Sequence, residues 1–377
     1  MEQVCQRVGL STGGFSIWFR LLLVSFLSAV AVPGQGAPLD EFLTAQPGYP
    51  PLHGEVELGY DVMNSNVDYL HIRDRDVDFA GTQVGDYEGY HLRGGLALTR
   101  RLWLDGGLAT RNLATTVDPI DAIGWQRSLQ YQMTVNLGAL PALGLRVTQW
   151  GNYSKEVKKT SSTLFQGITF NNVRVTYPRD NQTQADLIAT WGLGKHEHFS
   201  FFVGGGESRV SFDEFFVELR SGCEYSMNSA SPYNISGYLT KGDPAFCEIL
   251  AFDLNENDPK YPGEGLQMAY RADYRHFGGM YLWFNDNWRT KVGFRFQNLD
   301  RTIDPTIKSA GISVYDSNLI LSAELSYRPF QHVAFFGRTQ FMSNQLVGEV
   351  PFSYNRYTAG RFDRRYGLLT VGIQAGF

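Results

Sequence analysis

The feature that most restricts this chain is a two-residue alternation of apolar and polar side chains, recurring in stretches long enough to cross a bilayer. That period belongs to an extended strand with two unlike faces. The last stretch, YGLLTVGIQAGF from Tyr366 to Phe377, shows it most plainly. Leu369, Val371, Ile373, Ala375 and Phe377 fall on one side, while Thr370, Gly372, Gln374 and Gly376 fall on the other. A strand needs about 9–11 residues to cross a membrane, with an apolar face toward lipid and a polar face toward water.

Further strands are expected at 54–63, 90–98, 102–113, 129–137, 143–153, 185–193, 198–206, 266–284, 288–299, 318–327 and 332–341, which with the last makes twelve. Connections inside the hairpins run three to five residues, whereas those between hairpins cover 64–86, 114–126, 154–182, 209–263, 300–316 and 344–365. Short and long alternate throughout. This is the asymmetry of a membrane barrel with tight turns at one rim and long loops at the other. An even strand number lets the sheet close and lose its edges. All fifteen prolines fall outside these strands, as they must where every backbone amide is needed for a ladder. A soluble sandwich would share the proline pattern but not the division of connections. The expected fold is therefore all-β, a 12-stranded antiparallel transmembrane up-and-down barrel occupying residues 54–377. Forty Gly, twenty Tyr, twenty-six Phe and seven Trp suit it, since glycines let strands crowd and aromatics line membrane interfaces.

A final alternating strand closed by a C-terminal Phe resembles the terminal signal of Gram-negative outer-membrane β-barrels. The resemblance runs from about residue 54 to the end and is to a porin- and channel-like class. It implies an outer-membrane location with both termini periplasmic. The partners implied are membrane lipid, lipopolysaccharide, the barrel-assembly machinery during biogenesis, and small hydrophilic solutes.

Arg7 and Arg20 precede an apolar run from Leu21 to Val32, so residues 1–36 read as an export signal. Cleavage is expected after Gly36 in preference to Ala31. Residues 37–53, with four prolines, read as a periplasmic lead-in. The formal charge of -5 and the lack of a basic run give no basis for a nucleic-acid partner. Cys5 leaves with the signal, and in an oxidising compartment Cys223 and Cys247 are expected to form a disulfide.

Side chains opposite the apolar face would line the lumen. Strand parity puts Arg93, Asp105, Arg111, Arg146, Arg271, Asp273, Arg275, Arg289, Lys291, Arg295, Glu324 and Arg338 there, along with His91, Gln130, Gln132, Asp186 and Gln267. Glu55, Glu57 and Asp61 line the first strand, opposite a concentration of basic residues on the eighth and ninth. Two outcomes follow. Either the charges face one another across water as a transverse field, or they pair and fill the barrel. Parity on the eighth strand also depends on whether Gly278 and Gly279 carry a bulge, which would move Tyr281 and Trp283 to the other face.

Passive passage of small hydrophilic solutes is the expected function. The alternative is a sealed barrel acting through its loops in adhesion, recognition or structure, and a hydrolase stands third. His198-Phe-Ser200 has a spacing similar to that of the outer-membrane phospholipase family, but Phe201, Phe202 and Val203 replace the polar step that follows it there. His71, Asp74, Asp76 and Asp78 read as a solvated loop, and Phe79 stands where a calcium loop needs Gly. No catalytic residue, metal or cofactor is expected. The stretch 209–263 holds both cysteines with Phe215, Phe216, Tyr225, Tyr233 and Tyr238, and suits a constriction, a binding surface or a rigid cap.

Overall fold

Period-two alternation becomes strand over most of the chain in the computed structural model, which describes residues 41–45, 50–65, 86–113, 120–134, 140–159, 163–165, 168–219, 222–231, 234–247, 251–255, 269–309, 311–343, 354 and 365–377. In chain order the first strands are β1 (Gly54–Ser65), β2 (Tyr87–Ala97), β3 (Leu102–Leu113), β4 (Ile120–Gln132) and β5 (Ala142–Ser154). Three short ones follow, β6 (Glu156–Lys159), β7 (Thr163–Phe165) and β8 (Ile168–Thr176), then β9 (Arg179–Gly192) and β10 (Glu197–Ser211). Next come β11 (Glu214–Leu219), β12 (Glu224–Ser231), β13 (Asn234–Lys241), β14 (Ala251–Asn255), β15 (Tyr270–Phe284) and β16 (Trp288–Arg301). The helix α1 (Asp304–Ser309) precedes β17 (Ser317–Phe330), β18 (Val333–Met342) and β19 (Tyr366–Gly376).

Twelve of these close into one antiparallel barrel in the order β1-β19-β18-β17-β16-β15-β10-β9-β5-β4-β3-β2. β19 seals it, pairing with β1 from Glu55 opposite Gly376 to Ser65 opposite Tyr366. Strand number and type are those the alternation predicts. Burial inverts the rule for soluble proteins. On β19 Val371 and Ile373 are 51% and 45% exposed while Thr370 is 1% exposed. The same holds on β9 and β10, where Leu187, Phe201 and Val203 face out while Asp186 and Ser200 are fully buried. Such an exterior needs hydrocarbon as its solvent. Near the short turns the outward positions become aromatic, with Trp191 against Phe199 and Trp288 tilted against Tyr327, ring centres 4.6 Å apart. This is the girdle expected where a barrel meets the interface.

Several boundaries differ from the sequence reading. β4 starts at Ile120, not at 129, and its connection to β5 spans 133–141, longer than the other turns. Pro329 falls within the last residues of β17, where the ladder to β18 shifts register between Tyr327 and Phe330. The described residues of the two longest connections are largely strand. β6 and β8 from one, with β11 to β14 from the other, form a second sheet in the order β14-β13-β12-β11-β8-β6, and β7 pairs with β8. Cys223 and Cys247 are bonded and buried in its core beside Val175, Phe215, Val217, Tyr225 and Met227. Burial raises the Tyr225 phenol above its ordinary value. Val210 of β10 and Tyr270 of β15 pack into the same cluster and join this sheet to the loop end of the barrel. Tyr238 stays half exposed. Residues 1–36, His71, Asp74, Asp76, Asp78, Tyr233 and Gln267 lie outside the described residues or side chains.

Candidate functional site: the barrel lumen

Inward side chains come from one parity of every strand, so each level of the lumen is set by register. The turn-end half of the wall β1, β2, β16, β17, β18 and β19 carries a continuous ionic network. Glu324 sits at its centre. Arg338 approaches it at 2.7 Å, Lys291 at 2.9 Å and Arg289 at 3.9 Å. Arg338 also reaches Glu57 at 3.2 Å, and the His91 ring bridges Glu57 at 3.0 Å and Asp61 at 2.7 Å. Thr370 donates to Asp61, and Gln374 to Glu55, both at 2.6 Å. Gly59 makes room for the imidazole, because a Cβ there would lie 2.4 Å from the His91 ring.

Across the lumen Arg146 pairs with Asp105 at 2.9 Å, and Ser128 donates to the same carboxylate at 2.6 Å. A third group lies between β9, β10, β15 and β16. His276 and Asp186 are paired and fully buried, Gln184 donates to Asp186 at 2.8 Å, and Arg295 lies over the Phe202 ring at 5.2 Å. The transverse field thus gives way to local pairing. A buried carboxylate is stabilised by the nearest cation more than by one on the far wall.

A cavity of about 480 Å³ lies at the turn end, lined by Arg93, Arg146, Arg289, Lys291 and Arg338, by Glu55, Glu57 and Asp105, and by Trp103, Leu282 and Phe284. Phe42, Leu43 and Thr44 form part of its wall, so residues from the 37–53 stretch reach inside the barrel. Glu41 and Ala45 there are fully buried. Nothing periodic in EFLTA announces this. The signal lay in two inward glycines, since a Cβ on Gly293 or Gly144 would press at 3.2 Å and 3.1 Å on Glu41 and Ala45 respectively.

At the loop end the inward face turns apolar. Met63, Tyr87, Leu113, Ile120, Trp150, Ile320, Met342, Tyr366 and Leu368 converge there on Ile303 and on Ile307 of α1. Among the described residues this cluster draws on nine of the twelve barrel strands, Tyr270 of β15 included. Arg111 lies in the same layer, 2.9 Å from Asn152 and over the Tyr87 ring.

Of the residues expected to line the lumen, Arg93, Asp105, Arg111, Arg146, Arg289, Lys291, Arg295, Glu324 and Arg338 lie on the inward parity. Arg271, Asp273 and Arg275 lie instead on the outward parity. β15 keeps unbroken register with both neighbours through Gly278 and Gly279, and its inward residues are Tyr274, His276 and Met280. Arg271 instead joins Glu207 at 3.0 Å and Asp273 at 3.0 Å on the exterior. At fifteen residues, β10 and β15 outrun the roughly 9–11 that hydrocarbon requires, so their loop-end outward positions are solvated and take charge freely. Ser200 is inward and shares a 2.8 Å hydrogen bond with Thr190, while His198 stacks on Phe284 at 5.7 Å.

No protein-family model and no curated protein matches the chain. Among solved structures it is similar to the translocator domain of the autotransporter NalP from Neisseria meningitidis, at 7% identity over 96% of both chains with a TM-score of 0.44. It is also similar to the CymD monoaromatic hydrocarbon channel, at 9% identity over 87% of this chain and 89% of that one with a TM-score of 0.39. The NanC porin aligns at 9% identity over 85% of this chain and 98% of that one, with a TM-score of 0.39. At such values the comparison carries no solute or mechanism. The assignment of the fold rests on the chain's own twelve-strand antiparallel closure.

Proposed function

We propose that this barrel is a porin-like channel for small hydrophilic solutes in an outer membrane. On this reading the turn end and both chain ends face the periplasm, lipid and lipopolysaccharide surround the apolar band, and the barrel-assembly machinery inserts it after residues 1–36 are removed. The supporting observation is the turn-end vestibule, whose ionised and amide groups would exchange readily with a hydrated solute. On this reading solutes pass the loop-end apolar cluster on their way through the lumen. Planar-bilayer recording of the purified protein tests the reading. Steady ion steps that change with Arg338→Ala support it, and a silent bilayer with heat-modifiable, folded protein sinks it.

A second reading, a sealed barrel acting through its outer sheet, has its own support in the apolar cluster at the loop end and the disulfide-stapled sheet. The silent bilayer is the result it expects.

A further inference from the structure

Residues 41–45 cross the lumen from one wall to a nearly opposite one, five strand positions away around the ring of twelve. At the first end, Glu41 Oε2 accepts hydrogen bonds from Ser322 Oγ at 2.7 Å and from Gln340 Nε2, on β17 and β18. At the other, the Ala45 amide donates to Thr190 Oγ1 on β9 at 2.8 Å, and the Thr44 carbonyl accepts from Gln130 Nε2 on β4 at 2.6 Å. Phe42 lies between, with Lys291 Nζ 5.2 Å from its ring and Arg338 5.9 Å. Both ends sit on inward glycines, Gly293 under Glu41 and Gly144 under Ala45. A carboxylate wholly removed from water needs donors placed for it, and backbone groups buried in a lumen need partners. Here wall side chains supply both.

We propose that the barrel interior carries a binding site for an extended acidic peptide, and that this chain's own residues 41–45 occupy it as a plug. Donors for the carboxylate, partners for the backbone and glycine niches for close approach are the parts of a peptide site, assembled here from six different strands. The inference goes beyond the passage reading and does not depend on it, because a barrel that conducts nothing would hold the same plug.

The test uses Gln126→Cys, an inward position on β4 four residues beyond Gln130 toward the loop end, in a Cys5→Ser chain whose Cys223 and Cys247 are bonded to each other. Its reaction with a bulky hydrophilic maleimide is expected to be slow in the intact protein. Deleting residues 37–45, or Glu41→Ala in the full chain, should speed it by about tenfold, the loss expected for charge-assisted hydrogen bonds. Synthetic peptide 37–45 added to the deleted chain should restore protection, and the same peptide carrying Glu41→Ala should not. Oxidising a Thr44→Cys/Thr190→Cys pair, which joins hydroxyls now 3.4 Å apart, should slow labelling below the intact rate. Equal labelling with and without the segment, or a peptide that restores nothing, overturns the proposal. Should the deletion prevent insertion, unchanged labelling in both the Glu41→Ala and oxidised-pair chains overturns it equally.

Discussion

Arg338 on β18 and Glu324 on β17 stand directly opposite each other in register, and two nitrogens of the guanidinium converge on one carboxylate oxygen at 2.7 and 2.8 Å. The second oxygen is left for Lys291, so one buried acid neutralises cations from two neighbouring strands. Glu324→Gln should therefore destabilise the barrel by about 3–5 kcal/mol, since it strands buried cations and does not merely delete one pair. Loss of heat-modifiability at a lower temperature measures this. A variant as stable as the parent would show that the lumen is wet enough to solvate those charges.

Gly204 is the point where β10 passes the His276 and Asp186 pair. A Cβ there would lie 2.4 Å from the Ala185 carbonyl, 2.5 Å from Asp186 Oδ1 and 2.7 Å from His276 Nε2. Gly204→Ala should cost about 1–3 kcal/mol by overpacking, seen as a lower midpoint in denaturant. Gly194, with nothing within 4 Å, should accept the same change without loss.

Exterior charge behaves differently. Arg271→Ala should alter stability by no more than about 0.5 kcal/mol, because its partners are solvated and surface pairs contribute little. It should also leave any conductance unchanged while Arg338→Ala alters it. An equal effect of both on single-channel current would place β15 in the opposite parity.

Reducing the Cys223–Cys247 bond, whose partners are 24 residues apart, should lower the stability of the outer sheet by about 3 kcal/mol on the loop-closure relation. The barrel should keep its ladder. Proteolysis under reducing conditions would then cut within 214–255 and leave the twelve strands intact, and simultaneous loss of both would show that the sheet is part of the barrel's cooperative unit.

Asp304 opens α1 within the loop-end cluster, where burial raises its carboxyl above the usual value of 3.8 against the opposing pull of Arg301. An acid raised on folding favours the native state in its neutral form. Its contribution is fully present below the ordinary Asp range and is lost as pH climbs through the raised value. Asp304→Asn should thus match the parent in thermal midpoint at pH 3 and gain on it by pH 7. A gap that shrinks with rising pH would reverse the assignment.

The fold was legible because lipid enforces the two-residue alternation wherever a strand touches it. β19 and β1 could be assigned to the correct faces residue by residue for that reason. Where strands rise beyond the apolar band the constraint lapses. Arg271, Asp273 and Arg275 on β15, and Asp121 and Arg127 on β4, are outward charges in solvated positions, and they misled both the parity of one strand and the start of the other. The outer sheet escaped because its strands are short and bear no lipid-facing stripe. Residues 41–45 escaped because a five-residue segment has no period to read, and its partners, Ser322, Gln340, Thr190 and Gln130, are far away in sequence.

β8 runs into β9 and β10 into β11 with only 177–178 and 212–213 between, and β8 pairs with β11 just as β9 pairs with β10. One ribbon therefore spans bilayer and outer sheet, bent at Tyr177, whose φ of 46° turns the chain. A force applied to the outer sheet is delivered lengthwise along that ribbon, where the β9–β10 hydrogen bonds resist together in shear instead of opening one at a time. The outer sheet is anchored like a mast stepped through the hull.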